Sequence, residues 1–231
     1  MNANLYAHIR NAWAGRMEEP ALEPAEGAVL SFAALDRLAG QFATALAAHG
    51  VNAGDRVVVQ VEKSPGAVAL YLGCLRLGAI FVPLNTSYTD AEVGYFLDDA
   101  EPRLFVSAAM MAGPETGLWA QALAAGADDV VAEREADDIA AILYTSGTTG
   151  RSKGAMLSHG NLLSNAQTLV RLWDIRATDV LIHALPIFHV HGLFVALHTV
   201  LLAGGRTLFL PKFDAAQILA LLPRASLLMG V

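Results

Sequence analysis

One cysteine, Cys74, stands among 231 residues. An internal disulfide framework is therefore excluded, and the chain suits a reducing, cytoplasmic compartment. Cys74 lies in an apolar helical run, which assigns it to packing rather than reactivity. Positive charge is scarce as well: 15 Lys and Arg against 22 Asp and Glu leave a net charge of -7. Binding a phosphate backbone needs a basic face, so nucleic acid is set aside as the main partner. The N-terminal stretch MNANLYAHIRNAW lacks a continuous apolar segment, and no secretory signal is expected. Long uninterrupted apolar runs are also missing. Residues 65–84 have the length of a membrane span. However, Gly78 and Pro83 interrupt them, and a central Arg76 would cost about 2.5–3.5 kcal/mol on insertion scales. The stretch reads instead as a helix ending at Gly78, followed by a short buried strand. The run 190–203 is too short and holds His191 and His198. No internal repeat occurs, and no G-x-S-x-G nucleophile turn.

What is present is apolar sequence, 55% of the chain, enough for a sizeable core. Ser31 caps a helix whose Phe32, Leu35, Leu38, Phe42 and Leu46 recur at spacings of three and four, until Gly50. A strand is expected at 57–61. Ser64 and Pro65 open the next helix, and a second strand is expected at 79–82. Thr89 and Glu92 form a capping box for a third helix that stops before Pro102. Further strands are expected at 104–106, 130–131, 139–144, 180–184, 207–210 and 226–229. Helices are expected near 118–125, from Ser158 through Trp173, near 192–202, and between Asp214 and Pro223. Apolar strands alternating with helices indicate an α/β fold with mostly parallel sheets covered on both faces.

Residues 144–156 read YTSGTTGRSKGAM. Glycines 147, 150 and 154 let the backbone turn sharply and approach a ligand. Successive N–H groups in such a turn make a concavity for anions. Hydroxyls at Thr145, Ser146, Thr148, Thr149 and Ser152 add donors, and Arg151 and Lys153 add charge. The pattern differs from G-x-x-x-x-G-K-[ST], because the position five after Gly147 is Ser152. Its natural guest is a polyphosphate, bound between a strand and a helix. Lys153 is read as neutralising charge that develops on phosphate, and Arg151 as a solvated loop charge.

A second constellation, ALPIFHVHG at 184–192, follows a strand and precedes a helix. Ligands of parallel α/β sheets bind beyond the carboxyl ends of strands, so both loops are expected to face one cleft. His189 and His191 are two apart, with His183 and His198 near. A metal site, a site-lining His that orients an acidic substrate, and a satisfied core His all fit this pattern. No carboxylate or thiolate ligand stands nearby.

YTSGTTGRSKGAMLSHGNL resembles the phosphate loop of the adenylate-forming (AMP-binding) superfamily. VLIHALPIFHVHGLFVALH narrows the resemblance to acyl-CoA synthetases. With VEKS, PLNTSYT, LPKFD and ASLLMGV, the chain is most similar to the malonyl-CoA synthetases among them, and least similar between residues 107 and 137. The resemblance implies an N-terminal AMP-binding domain, partial over 1–231. One sheet would run from about 54 to 173 with the phosphate loop, the other through 1–53 plus 174–231. It implies an acid–thiol ligase: a carboxylate attacks Mg-ATP to give an acyl-adenylate, and coenzyme A then displaces AMP. Thr145, Ser146, Gly147, Thr148, Thr149, Gly150 and Lys153 match the ATP-binding loop, with Thr145 and Lys153 in catalytic roles. His189 matches the position beside the acyl group. ATP, Mg2+ and coenzyme A are the implied cofactors and co-substrates, and malonate is the favoured carboxylate over fatty or aromatic acids. The Glu motif that holds Mg in relatives, the hinge, and the lysine of the C-terminal lid domain have no match in these 231 residues. The resemblance thus implies the N-terminal half of an enzyme, inactive alone.

Overall fold

The computed structural model of the chain describes residues 2–145 and 152–231. Two five-stranded sheets organise it. The first contains β3 (Arg56–Gln60), β4 (Ile80–Pro83), β5 (Leu104–Ser107), β6 (Ile139–Thr145) and β7 (Lys153–Ser158), in the order β5-β3-β4-β6-β7. Its pairs are parallel except β6 with β7. The second contains β1 (Pro20–Pro24), β2 (Leu30–Ser31), β8 (Val180–His183), β9 (Arg206–Phe209) and β10 (Leu227–Leu228), in the order β10-β8-β9-β1-β2. There, only β1 with β2 is antiparallel.

Side-chain alternation along the strands explains the layers. Val57, Val59 and Phe81 face the main core, while Val58 and Val82 face a second cluster under α4 (Asp90–Ala100). Leu22 and Phe209 of the second sheet point into the same main core, and Ile182 and Leu208 point outward to α9 (Ala215–Leu221). Between the sheets lie α1 (Leu5–Ala12), α2 (Phe32–Ala48), α3 (Pro65–Leu77) and α8 (His198–Ala203). Every residue of α3 from Gly66 to Arg76 is buried. Its span-like hydropathy therefore reflects burial within protein. Among the described residues no helix is long and apolar enough to cross a membrane.

The caps act as their chemistry predicts. Ser31 accepts from the Ala34 N–H at 3.2 Å, and Ser64 from that of Ala67 at 3.1 Å. Thr89 and Glu92 close a capping box, and Asp214 accepts from the Gln217 N–H at 2.9 Å. Gly78 takes the left-handed conformation (φ +76°) that ends α3.

Three differences from the sequence reading have physical causes. No strand forms at 130–131; Val130 and Ala132 turn their carbonyls to Arg76 and Asn4 side chains instead of to a neighbouring strand. The expected passage from phosphate motif straight into a helix is interrupted by β7, which precedes α7 (His159–Leu172). KGAMLS has little β-propensity of its own. Pairing with β6 from Ile139↔Ser158 to Thr145↔Lys153 holds it in the sheet, at an edge. Finally, α1, β1 and β2 arise in a segment with no strong sequence signal. Tyr6, Ile9, Trp13 and Leu22 are each 0% exposed there.

Candidate active site

Parallel strands of both sheets present their carboxyl ends to shared ground. A cavity of about 270 Å3 is lined by Pro24 and Ala25 at the end of β1, Lys63 and Ser64 after β3, and Phe209 and Pro211 at the end of β9. A neighbouring one of about 220 Å3 adds Thr86 after β4, and Ala184, Pro186 and Phe188 after β8. VEKS, PLNTSYT, ALPIFHVHG and LPKFD therefore meet in one region, where the strand-end rule puts ligands.

The phosphate motif enters this architecture from the β6–β7 hairpin. Thr145 and Lys153 pair across its last rung, both exposed. The sequence readings on Ser146, Gly147, Thr148, Thr149, Gly150 and Arg151 lie outside the described residues. Rigid support stands on either side. The Tyr95 hydroxyl donates to the Ser152 carbonyl at 2.8 Å, and that of Tyr144 to Asp99 at 2.6 Å. Phe96 packs between Tyr88 and Tyr144, with ring centroids 5.0 and 4.5 Å away. Burial, with Asp99 accepting its proton, pushes the Tyr144 hydroxyl upward, so it stays a donor at neutral pH.

The loop after β8 folds back on itself. It runs into a π-helical turn, His191–Leu197, whose Gly192 sits so close to Pro186 that a Cβ there would lie 2.0 Å from the Pro186 carbonyl oxygen. Only glycine permits that approach. The Gly192 carbonyl in turn binds His183 Nε2 at 2.8 Å. Four histidines from one motif thus divide. His189 and His191 are at the surface or partly so, the His189 ring tilted against Phe188 with centroids 4.5 Å apart. His183 and His198 are core residues, the latter bound to the Tyr71 hydroxyl at 2.7 Å. Among the described residues no three His, Cys, Asp or Glu side chains gather as metal ligands. Cys74 is fully buried, its thiol pushed up by desolvation, as packing requires.

Lys63 escaped the sequence reading except as a letter of VEKS. Its Nζ donates to the His183 carbonyl at 2.9 Å and lies 4.3 Å from the centroid of the Phe209 ring. Burial lowers its pKa to about 7. The available signal was position: a polar residue directly after an apolar strand and before a helix cap.

Three buried imidazoles make a pH prediction. Burial and Lys63 hold His183 at about 3, burial alone holds His198 at about 3, and burial with Arg134 holds His159 at about 4. The unfolded chain protonates them near the ordinary value of about 6.5. Protons thus favour the unfolded state from about pH 6.5 down to about 4, by about 1.4 kcal/mol per pH unit for each neutral histidine. Urea midpoints should fall steadily over this window. A flat profile between about pH 7 and about 5 would mean the imidazoles charge freely in the native protein.

Comparison with known proteins accords with this geometry. The protein-family model described as AMP-binding enzyme matches residues 9–229. A long-chain-fatty-acid–CoA ligase, FadD13 of Mycobacterium tuberculosis, is 30% identical over 228 residues, covering 90% of this chain and 45% of the ligase. A malonate–CoA ligase of Arabidopsis thaliana is 33% identical over 186 residues, 71% of this chain and 31% of that protein. The crystal structure of ATP-bound MatB from Rhodopseudomonas palustris superposes with a TM-score of 0.92 at 48% identity, covering all of this chain and 49% of MatB. The chain thus spans less than half the length of the curated relatives it matches.

Proposed function

Because the chain belongs to the AMP-binding enzyme family, we propose that it forms the nucleotide-binding half of an ATP-dependent carboxylate–CoA ligase, with malonate as the carboxylate. The observation that carries this reading is the hairpin: Thr145 and Lys153 pair where β6 ends and the SGTTGRS segment begins, and β6 runs parallel to β4, whose own strand-end loop helps wall the cleft. In this reading Thr145, Ser146, Gly147, Thr148, Thr149 and Gly150 hold the ATP phosphates through amides and hydroxyls. Lys153 neutralises charge as pyrophosphate forms, and His189 stands on the acyl side. Residues 54–173 act as one subdomain, and 1–53 with 174–231 as the other.

Similarity to an ATP-bound structure at 48% identity supports the nucleotide, and the Arabidopsis malonate–CoA ligase supports the acid. FadD13 favours a fatty acid as the second reading. Among the described residues no three His, Cys, Asp or Glu side chains gather to hold magnesium. The test is to incubate the whole enzyme with ATP, magnesium, coenzyme A and one acid at a time, and to weigh the thioester by mass spectrometry. Malonyl-CoA outpacing palmitoyl- and feruloyl-CoA is the expected result. A fatty thioester in excess selects the second reading, and ATP binding without any thioester overturns both.

A further inference from the structure

Lys63, Lys153 and Lys212 are the three lysines of the chain. Lys153 and Lys212 are exposed, whereas Lys63 is largely covered and lines both cavities at the strand ends. Its only hydrogen bond among the described residues is to the His183 carbonyl, and its only cation–π contact is to Phe209. Glu26, Glu62 and Lys212 line the same cavities, yet among the described residues no carboxylate forms an ion pair with Nζ. One acceptor leaves two of its donor positions unused by the described residues. A covered cation without a counter-charge is an unstable arrangement in water-poor surroundings, and loss of a proton relieves it.

We propose that Lys63 is an acylation site, whose amine takes the acyl group of a coenzyme A thioester that enters the cleft. The Nζ lone pair attacks the thioester carbonyl. The carbon–sulfur bond breaks and its electron pair leaves on sulfur. The nitrogen gives up one proton, which the thiolate takes. The products are an amide and free thiol, with no oxidant or reductant required. The amide nitrogen keeps one N–H for the His183 carbonyl. The charge over Phe209 is lost, and the acyl group fills the cavity bounded by Pro186 and Phe188, next to His189. A pKa near 7 supports the chemistry, because roughly half the amine is then neutral at neutral pH and nucleophilic. The proposal rests on the ligase reading only in that the donor belongs to the product class assigned there.

The experiment supplies the donor directly, so the two readings fail separately. The protein is incubated with malonyl-CoA, and in a second series with acetyl-CoA, both without ATP, from about pH 6.5 to about pH 9. Peptide mass spectrometry then gives occupancy at each lysine. Lys63 should be labelled at least about tenfold ahead of Lys212 near neutral pH, and its rate should level off above about pH 8. The preference should vanish in concentrated urea, where the cavity is gone. Labelling of Lys63 no faster than of Lys212, or a preference that survives urea, overturns the proposal.

Discussion

Replacing Arg76 by methionine should destabilise the protein by about 3–5 kcal/mol, the usual result of stripping one partner from a buried ion pair. Arg76 is 1% exposed. Its Nη1 lies 3.1 Å from Asp36 Oδ1 and donates to the Asp36 carbonyl at 3.2 Å. Its Nε donates to Val130 at 3.2 Å, and Nη2 donates to the Asp128 carbonyl. One side chain therefore joins α3 to α2 and satisfies the backbone of a segment that has no sheet to bind. Without it, Asp36 retains Arg10 at 3.0 Å and the Tyr6 hydroxyl, but Arg10 is 34% exposed and the carbonyls of Asp128 and Val130 lose their donor. Burial first, then Asp36, pushes the Tyr6 hydroxyl upward, so it remains a donor. Urea denaturation of Arg76→Met measures the loss. Arg76→Met combined with Asp36→Leu should recover much of it, because the uncompensated charge is then gone. A loss below about 1 kcal/mol for the single variant would show the network to be dispensable.

If the whole enzyme is the ligase proposed above, Lys153→Ala should lower its pyrophosphate exchange about 100- to 1,000-fold, which is about 2.7–4 kcal/mol of transition-state stabilisation. The position separates chemistry from folding well. Lys153 is exposed at the start of an edge strand and makes no salt bridge with any described residue, so the urea midpoint should hardly move. Arg151→Ala serves as the comparison: Arg151 lies outside the described residues, and the sequence reading makes it a solvated charge that contributes little. Equal and small effects of the two substitutions would remove Lys153 from the phosphate site. A shifted urea midpoint in Lys153→Ala would instead assign it to the hairpin.

Much of the architecture was legible in one dimension because its signals are local. Ser31, Ser64, Thr89 with Glu92, Ser158 and Asp214 each mark a helix start through hydrogen bonds to groups three residues away or fewer, and all five do so in the fold. The apolar period of α2 names its buried face correctly from Phe32 to Leu46. The extent of helix α7 is legible, but its buried face only in the first half. Its apolar residues at spacings of three and four run from Leu162 and Ala166 to Trp173; the first two are buried, but Trp173 is 46% exposed.

The sequence by itself determined the α/β class, the capped helices, the apolar strands and the two loop motifs, all of which depend on neighbours a few residues apart. Tertiary structure alone decided the rest. KGAMLS became strand β7 because β6 offered its unpaired edge. Residues 128–134 stayed irregular because Arg76 and Asn4 took their carbonyls. Of four histidines in one short stretch, His183 and His198 went to the core and His189 to the surface, since a Gly192–Pro186 approach, invisible in spacing, turned the loop. Lys63 acquired its depressed basicity from burial, in a site that packs it against Phe209 and the His183 carbonyl, 146 and 120 residues away along the chain. Burial and charge environment are sums over contacts between distant segments, and no local pattern encodes those sums.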